Sequence, residues 1–440
     1  MGSARALAIG GPWAALRARS AAGSGAVTIA ASSGALVMTL GTGVLLARAL
    51  GPAGRGEVAA ILTAPQMVGW IFLLGSSQTI SYFRAREPQH AGALLGTWLV
   101  LTVPLGAAAI ALGELLLPAI MAAQTGEALA LAQLFMLTAG LVLLTESVLG
   151  FLLGAEHFLV FNALKVLSPA LVAACYVGAW LAGGLSVAWA VWSFAAVNVA
   201  VVAGAIAFLV VRHGIARPRL ALARRTLWYG ARAHSTNVSF LLNARLDLLI
   251  LPAFVPAATV GLYSVATNVS WIVFALAGSV AAVVLPVAAR QGAGEGPATV
   301  LRSVRATLVL AIGLAIGLGV VAGPLVALVF GARFAGSVDA LRILLPGSVL
   351  YAGALVLVSG LYAADRPFTA ACAQASGLLV TVAGLLIFLR SGGIGAAAWV
   401  STAAYATVFA AALVAYRRTT GLGWRALAML SRRRVPARAT

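Results

Sequence analysis

About twelve apolar stretches of bilayer-crossing length follow one another along this 440-residue chain and leave little sequence between them. A spanning helix needs roughly 20 predominantly apolar residues, and 62% of the residues here are hydrophobic while only 9% are charged. No stretch remains for a soluble domain, so the chemistry must take place inside the membrane. The predicted spans are 26–47, 58–82, 91–120, 128–153, 166–183, 185–211, 234–255, 260–289, 302–330, 338–363, 367–389 and 394–416. Turn-forming sequence separates most of them, as at Gly51-Pro52, Arg86-Glu87-Pro88, Gly292 to Pro297 and Asp365-Arg366-Pro367. The weakest boundary is Gly183-Gly184, where one long segment is the alternative to two. The fold expected is an all-α integral membrane protein.

Charge sets the orientation, because Lys and Arg are retained on the cytoplasmic side of short loops. With both ends inside, 23 of the 29 basic residues flank the inner face, 5 flank the outer face, and Arg245 lies within a span. Both termini are therefore expected in the cytoplasm, and the chain in the cell membrane. The net charge of +19 does not indicate nucleic acid, since the basic residues are dispersed over loops and a tail. The tail from Trp424 through Arg432-Arg433-Arg434 reads first as a stop-transfer anchor, with attraction to anionic lipid as the alternative. The first 25 residues lack a clean apolar core with a small-residue cleavage site and read as a cytoplasmic lead-in rather than a signal.

The longest inner loop, 212–233, carries six arginines and divides the spans into an N-lobe at 26–211 and a C-lobe at 234–416, followed by a basic tail at 417–440. The halves echo each other: Leu50-Gly51-Pro52-Ala53-Gly54-Arg55-Gly56 after the first span, and Phe254-Val255-Pro256-Ala257 to Gly261-Leu262-Tyr263 after the seventh. Pro52 and Pro256, 204 residues apart, occupy matching outer turns. An even number of spans per half makes the repeat parallel. Transporters built this way hold substrate between the halves near the midplane.

These pieces carry a family resemblance. Arg48-Ala49-Leu50-Gly51-Pro52 with Gly54-Arg55-Gly56, Arg245-Leu246-Asp247-Leu248, Val260-Gly261-Leu262-Tyr263, Phe330-Gly331-Ala332-Arg333-Phe334, Leu341 to Gly347 and Gly393-Ile394-Gly395 resemble polysaccharide flippases of the Wzx type. Those proteins belong to the multidrug/oligosaccharidyl-lipid/polysaccharide exporter superfamily. The resemblance implies two six-helix lobes around a central cavity. It also implies transfer of a polyprenyl-diphosphate-linked glycan from the inner to the outer leaflet, for cell-surface polysaccharide synthesis. The partners it implies are that lipid-linked glycan, membrane lipids, and a glycan polymerase or other assembly proteins.

Charges within spans mark candidate sites, because each is costly in lipid unless it faces a cavity or a partner. Arg245 lies about eleven residues from either end of the seventh span, and a guanidinium fork suits phosphate oxygens. Asn243 and Asp247 share the polar arc of that span, with Arg245 roughly 160° around the helix from Asp247. These three residues are the candidate substrate contacts. A structural ion pair, with Glu146 as one partner, is the competing reading for Arg245. A carboxyl group buried at Glu146 can hold and exchange a proton, so Glu146 and Asp247 are candidates for ion coupling, against a purely structural Glu146.

Gly313, Gly317, Gly319 and Gly323 have the spacing of close helix packing. Trp180, Trp189 and Trp192 read as an interfacial belt. No Gly-rich loop ending in Lys-Ser or Lys-Thr exists for a nucleotide, Cys175 and Cys372 lie in separate apolar spans, and the four histidines show no ligand spacing. Neither a cofactor nor a metal is expected. Two other functions fit parts of the sequence. A multidrug antiporter would use acidic cavity groups, and a glycan polymerase or ligase would need catalytic side chains on a sizeable outer loop.

Overall fold

A computed structural model describes residues 12–422. The start of the lead-in and the tail from 423, with Trp424 and Arg432 to Arg434, lie outside the described residues. The described chain is nearly all helical and contains no strand. Its helices are α1 (Pro12–Phe72), α2 (Ser76–Arg86), α3 (Ala91–Ile120), α4 (Gly126–Met136), α5 (Ala139–Gly154), α6 (Phe158–Leu181), α7 (Val187–His213), α8 (Leu220–Ile250), α9 (Ala257–Val329), α10 (Ser337–Ala363) and α11 (Pro367–Thr420). Eight helical stretches among the described residues are long and apolar enough to cross a membrane.

Three of these helices are too long for a single crossing. At 1.5 Å per residue a straight α9 would extend about 110 Å, against about 30 Å of hydrocarbon. Each bends at one glycine with positive φ: Gly51 at 68°, Gly292 at 60° and Gly393 at 54°. A side chain would be strained in that conformation, so the turn-forming glycines of the sequence are where the chain doubles back. In α11 the returning arm brings Val408 against Gly377 and Val400 against Gly384. In α1 both arms line the same cavity, with Leu36 and Trp70 among the lining residues.

The ambiguity at Gly183-Gly184 resolves into two segments. α6 stops at Leu181, Gly183 takes φ 71°, and α7 starts after Ser186, whose hydroxyl accepts a hydrogen bond from the Trp189 amide at 3.2 Å. Trp180, Trp189 and Trp192 are exposed at the adjoining ends. The glycine series in α9 is a correction to the sequence reading. A Cβ added at Gly313, Gly317 or Gly323 meets nothing within 4 Å, and one at Gly319 meets only Leu345. The buried small residues of that arm are Ala311, Ala315 and Ala322. Spacing alone had allowed a close approach without saying which face makes it.

The first seven helices pack around Ile61, Phe135, Met136 and Phe151, and the last four around Tyr263, Leu344, Leu357 and Tyr416. The connecting segment expected as a loop over 212–233 is extended only to Arg219, and α8 begins at Leu220. Ala, Leu and Arg favour helix there, and Ala223 and Thr226 are buried against the first half. Gly230 sits on the Leu74 carbonyl, where a Cβ would approach to 2.1 Å.

Arg225 anchors this segment by pairing with Glu87 and lying 4.6 Å over the Phe83 ring. The Arg225 and His90 hydrogen bonds hold the Glu87 carboxyl below its ordinary value. A depressed carboxylate contributes stability above its unfolded-state pKa and loses it as pH falls through the folded one. Glu87→Gln is therefore expected to lower the unfolding midpoint slightly at neutral pH. The gap between the two proteins should close under acid, below the ordinary carboxylate range. A gap that persists there would place the effect elsewhere.

Candidate substrate cavity

A cavity of about 670 Å³ lies between the two halves. Its walls come from both arms of α1, from α6 and α7, and from α8 and the start of α9. Two cations line it, Arg55 and Arg245, and no lining residue is acidic. Thr42, Gln66, Asn198 and Asn268 add neutral polar groups.

Arg245 reaches the cavity because the helix turns its side chain away from Asp247, as the wheel predicts. Its guanidinium lies 4.2 Å over the Trp271 ring, and Nη1 donates a long 3.5 Å hydrogen bond to Asn268 Oδ1. Stacking on an aromatic face leaves much of the donor fork available. Arg55 comes from the opposite half. Its Nε is buried with no hydrogen-bond partner, and its charge repels that of Arg245. Asp247, behind the wall, offsets part of the Arg245 charge, but no acid lines the cavity itself, so an entering anion is favoured between the two cations.

Sequence reading missed Arg55 by counting it with the outer-loop charges. The helix resumes directly at Pro52, so the fourth residue beyond the Gly51 kink already faces the interior. The adjacent Gly51-Pro52 pair was the available signal, since Pro is favoured in the first turn of a helix.

The other candidate residues do not line the cavity. Asn243 is buried and donates from Nδ2 to the Gln374 carbonyl at 2.6 Å. Asp247 accepts from the Tyr263 hydroxyl at 2.6 Å, the Ser401 hydroxyl at 3.1 Å and the Leu248 amide at 2.8 Å. Those contacts tie α8 to α9 and α11 behind the wall that carries Arg245. Glu146 is not the partner of Arg245. It meets Ser77 and lies near Lys165, while Lys165 itself donates to Ser32 at 3.0 Å. His157 and His213, unrelated in sequence spacing, meet Nε2 to Nε2 at 3.0 Å. No group of three metal-binding side chains occurs among the described residues.

One end of the cavity is sealed by contacts between the halves. Gly56 and Gly261, in the echoed turns, cross so closely that a Cβ on Gly56 would sit 1.7 Å from the Ala257 carbonyl oxygen, and one on Gly261 would sit 2.0 Å from that of Pro52. Arg48 donates to the Val329 carbonyl at 2.8 Å and also to that of Leu328. Gln124 Nε2 donates to the carbonyls of Pro252 and Val255, each at 2.9 Å.

A multi-pass helical fold of this kind, with eight stretches long and apolar enough to cross a membrane among the described residues, is one that solved transporter structures share. Similar solved structures include an inward-facing multidrug resistance MATE transporter (TM-score 0.70, 16% identity, covering 90% of this chain and 95% of that one). The lipid II flippase MurJ in its inward closed conformation is similar too (TM-score 0.73, 15% identity, covering 92% and 91%). An outward-facing MATE structure matches with a TM-score of 0.58 at 16% identity, covering 92% and 95%. No curated protein sequence matches the chain. The polysaccharide biosynthesis protein family model matches residues 22–291, and the chain belongs to that family.

Proposed function

We propose that this protein flips a polyprenyl-diphosphate-linked oligosaccharide from the inner to the outer leaflet of the cytoplasmic membrane by alternating access, feeding synthesis of a cell-surface polysaccharide. The observation that carries the reading is the pair of arginines in an interlobe cavity without an acid. Arg55 and Arg245, one from each half, hold the diphosphate, and the polar walls leave room for sugars. Asn243 and Asp247 act behind the wall, fixing the helix that presents Arg245. In this reading each kinked hairpin crosses twice, giving twelve crossings in two lobes with both termini in the cytoplasm. The sealed end faces outward.

An inside-negative potential favours outward movement of a diphosphate by about 2.3 kcal/mol per uncompensated charge per 100 mV. Glu146, with Ser77 and Lys165 beside it, is the place for any ion coupling in the first lobe. The antiporter reading fits less well, because a cationic drug needs a carboxylate facing the cavity and Asp247 is turned into the fold. The test is the amount of polyprenyl-diphosphate-linked glycan in cells lacking the gene. Accumulation that a restored copy clears supports the flippase. Unchanged glycan levels with altered sensitivity to cationic drugs would replace it with the antiporter.

A further inference from the structure

A second built feature lies away from the central cavity, and no residue lines both. Between the two arms of α11, at the end formed by its first and last turns, runs an open groove of about 760 Å³ lined by Arg366, Thr369, Ser376, Thr407, Ala411 and Arg418, among others. Both walls come from one hairpin. Thr407, Ala411, Val414 and Arg418 fall on one face of the returning arm, and the short side chains of the first three leave a trough below Arg418. Thr369 and Ser376 lie about 10 Å apart along the facing arm.

The mouth of this groove is cationic. Arg366 and Arg418 are both exposed, and among the described residues neither guanidinium makes a hydrogen bond or ion pair. Asp365 is adjacent in sequence but does not line the groove. None of the chain's ten acidic residues lies beyond Asp365, so residues 423–440 supply no acidic side chain to neutralise the pair. The N-terminus of α11, opened by Pro367, lies at the same end, and its helix dipole favours an anion. Phe368, beside Arg366, is 80% exposed, as suits a side chain at the lipid interface.

A charged mouth over a narrow trough of small, largely apolar residues matches an amphiphile with a phosphate head and an acyl chain. We infer that the α11 hairpin holds an anionic membrane phospholipid, its phosphate between Arg366 and Arg418 and an acyl chain along the Thr369 to Ser376 wall. The inference is independent of what the central cavity carries.

Native mass spectrometry of the full-length protein, delipidated and then titrated with phosphatidylglycerol or phosphatidylcholine, tests it. Wild type is expected to retain phosphatidylglycerol about thirtyfold more tightly, as two interfacial arginines provide. Arg366→Gln with Arg418→Gln should remove that preference, Arg366→Lys with Arg418→Lys should keep most of it, and Arg245→Gln should leave it unchanged. Equal retention of the two lipids by wild type overturns the inference, as does a preference that survives the double Gln variant. Displacement of phosphatidylglycerol by millimolar inorganic phosphate would make the ligand free phosphate and overturn the lipid assignment. Melting curves establish that each variant is folded before it is scored.

Discussion

Cells whose only copy carries Arg55→Gln and Arg245→Gln should accumulate lipid-linked glycan as heavily as cells without the gene, although the variant protein is made and folded. A hydrogen bond to a charged group contributes about 1.5–3 kcal/mol, so each single change should slow transfer about tenfold to a hundredfold. The two effects should not multiply, because both side chains act on the same anion. Arg245→Lys keeps the charge but loses the planar fork and should fall between wild type and Arg245→Gln. Thermal unfolding separates this role from a structural one. Neither guanidinium makes a salt bridge among the described residues, so replacing one should change the melting temperature of the substrate-free protein little. A marked fall in melting temperature would show that the arginines hold the fold together and would remove them from the substrate pathway.

The second large effect concerns the sealed end. Gly56→Val pushes a branched side chain into the Ala257 carbonyl, and no rotamer change relieves a clash at Cβ. The halves would part there, so the conformation sealed at this end is lost. Overpacking of this kind costs about 1–3 kcal/mol, enough to shift a conformational balance up to a hundredfold or so. Transport should stop while the protein remains folded. With Cys175 and Cys372 replaced and a probe placed by Thr42→Cys in the cavity wall, a membrane-impermeant thiol reagent added outside should label the Gly56→Val protein strongly and wild type weakly. Equal labelling of the two would mean that the crossing does not close the cavity.

Much of this architecture can be read along the chain, because its strongest constraints are local. Gly51, Gly292 and Gly393 fall where apolar runs meet, and each takes a conformation that a side chain would resist. Arg245 stood out because an isolated charge at mid-span needs a reason. The contacts of the site were less legible, since they join distant positions. Asp247 finds Tyr263 sixteen residues on and Ser401 a further 138 beyond that, and nothing in its own helix announces either. Glu146 was a reasonable partner for Arg245 by polarity alone, yet it lies in the other half against Ser77. Arg55 was hidden by its position next to a turn. A loop charge and a cavity charge differ there by a few residues of helix, which composition does not resolve. The α9 glycines failed for a related reason: periodicity defines a face, and only the neighbours decide whether that face meets anything.

The donors at the sealed end, Arg48 and Gln124, fasten only to main-chain carbonyls of residues 252, 255, 328 and 329. Every amino acid presents the same carbonyl, so substitutions at those four positions can change size and polarity without removing the acceptor. The fastening is written almost entirely into one half of the molecule, and the facing helix ends are free to drift in sequence while the closure is inherited intact.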